Sequence, residues 1–507
     1  MEQVKIGWGR REISIDEPVL LSGQMYLRIS EGILDPMYAT ALCIDGGEGM
    51  DAVVFLSCDT AALGGNTLAP TEELVRKQCP DFPRNAIVTN ATHTHSGSGV
   101  GGTMEVTPDG VPVFSGNRYR EFYIQKCAEA VIEAWQSRKP GGIGYGYGFA
   151  VVAHSRRVVY FEEKALTATR NTMTPSGYAV MYGNTNDPLF SHYEAGADHF
   201  LNLLFTFDAQ EKLTGMIVNV PCPSQLSEHF LQQSSDYWHD VRKLVAQEYG
   251  DDVFVLTQCA AAGDLSPRTL HYREAQMRRM ELKYGLPYDV KKARGGNRDE
   301  INKVMAERYD IAERITAGIR DVFSWAKKEI FTQVPVRHHH GIMALERRVI
   351  TEEEKQWCEE NLEILEGQKP DPATMTGEEY RTKISIHNSA VWRNNNGLQR
   401  YEDVKINPTL NMAAHVVQVG DVAFATTRFE LYQDFMHRLQ ARSPFIQTFV
   451  VQLAGEEGCN YLATKRAVAA KGYSASMFCN MVSANGGHQW VENCLKILQD
   501  MKAKDEI

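Results

Sequence analysis

Asn85-Ala86-Ile87-Val88-Thr89-Asn90, then Ala91, then Thr92-His93-Thr94-His95-Ser96, is the stretch on which the reading of this chain turns. Its apolar, β-branched run predicts a buried strand. In extended geometry residues i and i+2 share a face, so His93 and His95 would project together from the strand's C-terminal edge. That arrangement suits a metal ligand beside an acid–base group or a second ligand. Two surface histidines in a polar turn satisfy the same spacing, and local context leaves both readings standing.

Working outward, residues 39–45 and 52–57 read as strands separated by the turn Gly46-Gly47, and residues 71–78 have helical spacing. Residues 118–136 predict an amphipathic helix ended by Lys139-Pro140-Gly141-Gly142. Residues 200–207 and 214–220 read as a hairpin, 235–249 as a helix and 253–257 as a buried strand. A charged helical stretch follows at about 272–330, broken at Gly285-Leu286-Pro287 and Gly295-Gly296, and a second charged insert spans about 351–383. Strands return at 415–419 and 422–426, with helical segments near 430–439 and 491–501. The pattern is α/β, a mixed α+β chain of core strands interrupted by helical inserts, expected as one large domain over 1–507.

Composition narrows the class. The 507 residues carry a net charge of −11, with 43% hydrophobic and 23% charged side chains, which is ordinary for a globular protein. The acidic balance disfavours nucleic acid as a partner, and no apolar run is long enough for a membrane span. The opening Met1-Glu2-Gln3-Val4-Lys5-Ile6 has no apolar leader, and the ten cysteines are scattered without a CxxC pair. A cytoplasmic protein acting on a small molecule is the expectation, with homo-oligomerisation left open.

Three further motifs need weighing. Gly263-Asp264-Leu265-Ser266-Pro267 follows a predicted strand, so it either holds a carboxylate and a hydroxyl at a strand end or is a plain turn with a cap. Gly97-Ser98-Gly99-Val100-Gly101-Gly102 fits GxGxxG, but Thr103-Met104-Glu105-Val106-Thr107-Pro108 opens no helix to receive a pyrophosphate. His338-His339-His340 lies among strand-like residues and reads as a polar edge.

Taken in order, these segments resemble the catalytic domain of the neutral (neutral/alkaline, non-lysosomal) ceramidase family. The resemblance begins at Gly9-Arg10-Arg11-Glu12-Ile13, continues through residues 32–42, and includes Leu56-Ser57-Cys58-Asp59. Ala91-Thr92-His93-Thr94-His95-Ser96-Gly97 is similar to the family's ATHTHSGP signature, and Ala262-Gly263-Asp264-Leu265-Ser266-Pro267 to its AGDVSPN signature. Phe429-Glu430 resembles its GEF segment, and Asn460-Tyr461-Leu462-Ala463-Thr464 with Lys471-Gly472-Tyr473 its tyrosine-bearing C-terminal segment.

The resemblance implies a Zn2+ site and amide hydrolysis. His93, Glu430 and Tyr461 match zinc ligands. His95, Arg156 and Tyr473 match groups that hold the scissile amide and its oxyanion, and Asp264 and Ser266 match residues beside the metal. Where a second zinc histidine is expected, the chain has Val220-Pro221-Cys222-Pro223-Ser224-Gln225. Cys222 as a thiolate ligand, His229 swinging in, or a weak or absent metal site are the alternatives. A buried bystander thiol is the plainer reading of Cys222.

Other departures bear on substrate. Arg268 replaces the family's asparagine after Ser266-Pro267, the inserts are charged, and the family's C-terminal immunoglobulin-like domain is expected to be missing. A soluble amide or a sugar derivative, bound by Arg156, Arg268 and the tyrosines, therefore fits better than a long-chain sphingolipid. Three functions follow: a zinc-water amidohydrolase, a glycoside or ester hydrolase with an altered Cys-containing metal site, and a non-catalytic binding protein on the same scaffold.

Overall fold

The computed structural model describes residues 2–161, 171–285, 298–455 and 460–505. At its centre is an eight-stranded sheet whose order is Phe254–Cys259, Leu213–Val220, Phe200–Asp208, Lys139–Phe149, Lys5–Glu12, Tyr38–Asp45, Ala52–Cys58, Ile87–Ala91. Its interior pairs are antiparallel, while the outermost pair at each edge is parallel. A second sheet runs Val336–Glu346, Thr409–Val419, Val422–Thr426, Gln447–Val451, and its last pair is also parallel.

The two sheets bury a common core. Trp8, Phe55, Leu204 and Leu256 of the large sheet pack with Val417, Phe424 and Phe449 of the small one. The rings of Phe55 and Phe424 meet across the interface at 4.7 Å between centroids, and Phe424 stacks on Phe449 at 4.5 Å. Each such pair adds about 0.5–1.5 kcal/mol to the burial itself. This mixed architecture is the one expected from the alternation of strand and helix signals.

The three parallel pairs of these two sheets send their carboxyl ends to one region. Ala61 follows Ala52–Cys58, His93 follows Ile87–Ala91, Gln225 follows Leu213–Val220, and Gly263 follows Phe254–Cys259. Glu430 follows Val422–Thr426 in the smaller sheet. Loops at strand carboxyl ends are where α/β folds build their sites.

Several boundaries differ from the sequence reading. Lys139-Pro140-Gly141-Gly142 opens the long strand Lys139–Phe149 instead of closing a helix, because the helix Gly116–Gln136 already ends at Ser137. Pro140 is tolerated at the start of the strand's pairing, where ladder donors are dispensable. The segment near 430–439 begins as strand, since Glu430 and Leu431 pair with Tyr461 and Leu462, and the helix spans only Gln433–Arg442.

The inserts are helical. The first comprises Arg273–Tyr284 and Arg298–Ala326, and its expected break at Gly295-Gly296 lies outside the described residues. Arg308 ties it to the body through Asp35 at 3.0 Å and Asp240 at 3.1 Å. The second comprises Glu352–Glu366, opened by a Thr351/Glu354 capping box, and Gly377–Ile406. Its last helix runs well past residue 383, because Ile384, Ala390, Asn394 and Gly397 keep one face buried where the charge pattern fades. No helix among the described residues is long and apolar enough to cross a membrane. Every described cysteine is a free, buried thiol. The triple histidine sits on Val336–Glu346, an edge strand.

Candidate active site

The strand ends open onto a cavity of about 1870 Å³, lined in part by His93, His95, Arg156, Glu430, Tyr461 and Tyr473. His93 leaves its strand with a left-handed backbone, φ 63°, which costs a non-glycine residue about 1–2 kcal/mol and is held by the surrounding bonds. Its Nδ1 donates to the Ala61 carbonyl at 2.6 Å, which turns Nε2 toward the cavity. Nε2 lies 3.2 Å from Glu430 Oε2, and although burial opposes it this carboxylate draws the ring above its ordinary value.

Glu430 and Tyr461 are register partners in a short parallel pair, which sets their side chains next to one another. Gly263 makes room for Glu430, because a Cβ at that glycine would lie 2.4 Å from the Glu430 carbonyl oxygen. Arg156 knits the group together. Its Nη2 donates to the Gly263 carbonyl at 2.9 Å and to the Tyr461 hydroxyl at 3.2 Å, and lies 3.3 Å from Glu430 Oε2. Burial works to raise the Glu430 carboxyl, but His93 and Arg156 outweigh it and hold it at about 2. The donors His93 Nε2, Glu430 and Tyr461 are one nitrogen and two oxygens facing a cavity, the kind of three-ligand set that an open catalytic metal site uses. Among the described residues no group of three or more His, Cys, Asp and Glu side chains converges, so the phenol is needed to complete the set.

His95 has a separate support. Its Nδ1 is 2.8 Å from Glu228 Oε2, and its Nε2 is 2.9 Å from the Gln225 side-chain amide. Glu228 is itself held by Gln24 at 2.8 Å and by an ion pair with Arg268. Although burial opposes it, contacts with His95 and Arg268 pull the Glu228 carboxyl far below its usual range. Burial likewise holds His95 below its ordinary value, so the ring is neutral, with Nδ1–H donated to Glu228. Gly23 closes over this ring, in positive φ, at a point where a Cβ would lie 2.4 Å from His95 Cγ.

The remaining sequence candidates are placed differently. Tyr473 lines the cavity with its ring 5.9 Å from that of Tyr461. Asp264 does not line it: its carboxylate accepts from Gln433 N at 3.2 Å and Gln433 Nε2 at 3.0 Å, and burial pushes it up to about 6. Ser266 Oγ accepts from the Arg268 backbone N–H at 3.1 Å and likewise faces away from the cavity. Cys222 lies in the apolar core with Val220, Trp238 and Val241, its thiol directed at the Val152 carbonyl at 3.4 Å. It does not line the cavity, and burial pushes the thiol well above its ordinary value. His229 is on the rim, 61% exposed, with Nε2 3.8 Å from Glu228 Oε1.

Glu228, Gln225, Tyr182 and Arg393 line the same cavity and were not picked out by sequence reasoning. Glu228 is adjacent to His229, which the missing-ligand argument did reach, but a lone glutamate in a polar loop carries no signal of its own.

By sequence the chain matches no family model and no curated protein. By structure it superposes on the crystal structure of neutral ceramidase from Pseudomonas aeruginosa with a TM-score of 0.65 at 14% identity, covering 99% of this chain and 75% of that one. The chain has the neutral ceramidase fold. A ceramidase complexed with C2 gives a TM-score of 0.63 at 13% identity, covering 99% of this chain and 76% of the other. The neutral ceramidase likeness thus runs through the whole described chain, inserts included, at an identity too low for sequence comparison to register. Fold likeness at this distance transfers architecture, and chemistry has to be argued from the side chains.

Proposed function

We propose that this chain is a metal-dependent hydrolase of the ceramidase type that cleaves a C–N amide bond in a soluble, polar substrate. The observation that carries the proposal is the meeting of His93 Nε2, Glu430 and Tyr461 on one cavity wall, with His93 Nδ1 tied back to the Ala61 carbonyl so that Nε2 faces Glu430 at 3.2 Å. One nitrogen and two oxygens facing a cavity are a donor set that a divalent cation fits, taking the place of the proton between His93 and Glu430. Zn2+ held by His93, Glu430 and Tyr461 would lower the pKa of a bound water to near 7 and polarise a carbonyl.

The chain's own groups divide the remaining work. Arg156 is locked by five partners and needs no reorganisation to hold developing negative charge. The Tyr473 hydroxyl accepts from Arg393 Nη2 at 3.2 Å, which leaves its own proton free to donate to substrate. His95 Nε2, aimed by Glu228, is positioned to take up or return a proton once Gln225 is displaced. Asp264 and Ser266 support this set from behind through Gln433 and Arg268.

A glycoside substrate has one observation behind it, the several carboxylates that line one cavity, Glu228 and Glu430 among them. Glu228 and Glu430, the two that touch His95 and His93, are held ionised by their partners, so neither is a protonated acid for a glycosidic leaving group. The amide reading is therefore preferred. The described cysteines, all free thiols, support a reducing compartment such as the cytoplasm.

The test is metal analysis by plasma mass spectrometry together with a panel of N-acyl amides, aryl glycosides and esters, on wild type and His93→Ala. Near-stoichiometric zinc and amide turnover, both lost in the variant, are expected. Metal-free protein whose amide turnover survives His93→Ala would overturn the proposal.

A further inference from the structure

Charge is paired along the buried walls of the cavity, with one departure among the described residues. Arg156 lies against Glu430 at 3.3 Å, Arg268 against Glu228, and Arg314 against Asp310 at 2.8 Å. Arg273, at the mouth, is exposed to water and bonds the Leu270 carbonyl at 3.0 Å. Arg393 differs from all of these. It projects from the helix Gly377–Ile406, its Nη2 donates to the Tyr473 hydroxyl, and its Nη1 is buried without a hydrogen bond. No ion pair with a described carboxylate is formed. Its near neighbours are the Tyr473 hydroxyl, the Cys479 thiol and the Phe478 ring, 5.9 Å from the guanidinium.

A guanidinium cannot shed its charge, so burial without a counterion is unfavourable in the free protein and is relieved by an anion. The guanidinium fork presents Nη1 and Nη2 on one edge, which matches a planar carboxylate. Tyr473, its hydrogen-bond partner, packs on Tyr461 at 5.9 Å between ring centroids. An anion held here is therefore separated from the candidate metal ligands by tyrosine side chains alone, on the same cavity wall.

We propose that Arg393 forms a carboxylate-binding subsite, and that the amide this chain acts on carries a carboxylate of its own. The word substrate rests on the hydrolase reading above, whereas the subsite does not. The insert helix then has a function in recognition: it supplies the side chain that selects an acidic amide over a neutral one.

The experiment measures binding by calorimetry. The probes are the N-hexanoyl derivatives of glycine, β-alanine and 4-aminobutyrate, each beside its primary carboxamide, which has the same shape without the charge. In wild type, at least one acid is expected to bind tenfold or more tightly than its carboxamide. Arg393→Gln should abolish that preference, the acid losing far more affinity than its carboxamide, and Arg393→Lys should keep part of the preference. Equal binding of every acid and its carboxamide to wild type overturns the subsite, and so does a preference that survives Arg393→Gln. Because binding is read apart from turnover, discrimination without hydrolysis of any probe would count against the hydrolase reading and leave the subsite standing.

Discussion

The Ala61 carbonyl oxygen stands 2.6 Å from His93 Nδ1 and decides which ring nitrogen faces the cavity. Ala61 comes from the turn after the strand Ala52–Cys58, and His93 from the turn after its parallel neighbour Ile87–Ala91. A backbone acceptor on one strand end thus fixes the tautomer of a side chain on the next, the arrangement commonly found behind metal-binding histidines. The left-handed backbone at His93 is what swings the ring into reach of both Ala61 and Glu430.

Because Cys222 is packed in the apolar core and directed at Val152, Cys222→Ser should leave metal content unchanged. A hydroxyl keeps that bond but is costlier to bury than a thiol, so stability should fall by about 1–2 kcal/mol. Metal analysis and urea unfolding on the same preparation check both halves. Zinc lost in proportion to the substitution would restore Cys222 as a ligand.

Glu228 aims His95 without touching the space above His93, so Glu228→Gln should act mainly on kcat. Replacing the acceptor of the His95 Nδ1 proton removes the preference for one tautomer, a change typically worth about 10–100-fold. Arg268 loses its ion-pair partner too, so kinetics should be measured well below the variant's Tm. An unchanged kcat with a raised KM would instead make Glu228 a binding residue.

At Gly263 a methyl group would meet the Glu430 carbonyl oxygen at 2.4 Å, and the next nearest atoms, Glu430 C and Leu431 C, are backbone too and cannot rotate away. Gly263→Ala should destabilise by about 2–3 kcal/mol and lower metal affinity by displacing Glu430. Gly65→Ala is the control, since a methyl group there would have nothing within 4 Å and its turn is exposed. Equal unfolding midpoints for the two variants would remove the steric argument.

The sequence made the strands and the order of motifs readable because buried strands and their turns leave local marks: 422–426, read as a strand, is a strand over those same residues. The pair His93 and His95 was read as sharing a strand face, but both lie past the strand end at Ala91, His93 has a left-handed backbone, and they turn to different partners, Glu430 and Glu228, from segments far apart in the chain. Such meetings have no local signature. Asp264 illustrates the converse: its motif stands out in sequence, but the close contact of Gly263 with Glu430 gives the segment a packing role, and the carboxylate turns to Gln433. Arg393 was invisible because it belongs to a charged helix in which any one arginine looks like solvated surface.

The edge strand carrying His338 and His340 meets His415 on its neighbour, with His338 Nε2 2.8 Å from His415 Nδ1 and the His340 ring 4.7 Å from that of His415. Burial holds His338 down at about 4, against a pull upward from Asp51, with His340 and His339 adding to the depression, and it holds His415 lower than an ordinary imidazole as well. The unfolded chain therefore takes up protons below about pH 6.5 that the folded chain refuses until about pH 4, so stability is intact above that window and falls as pH drops through it. For His338 alone the loss between pH 7 and pH 5 is about 2 kcal/mol. Urea unfolding at the two pH values should show that loss in wild type and a smaller one in His338→Gln, whose side chain keeps a polar contact for His415 without titrating. An equal pH dependence in wild type and variant would mean that His338 is protonated in the folded state as readily as in the unfolded chain.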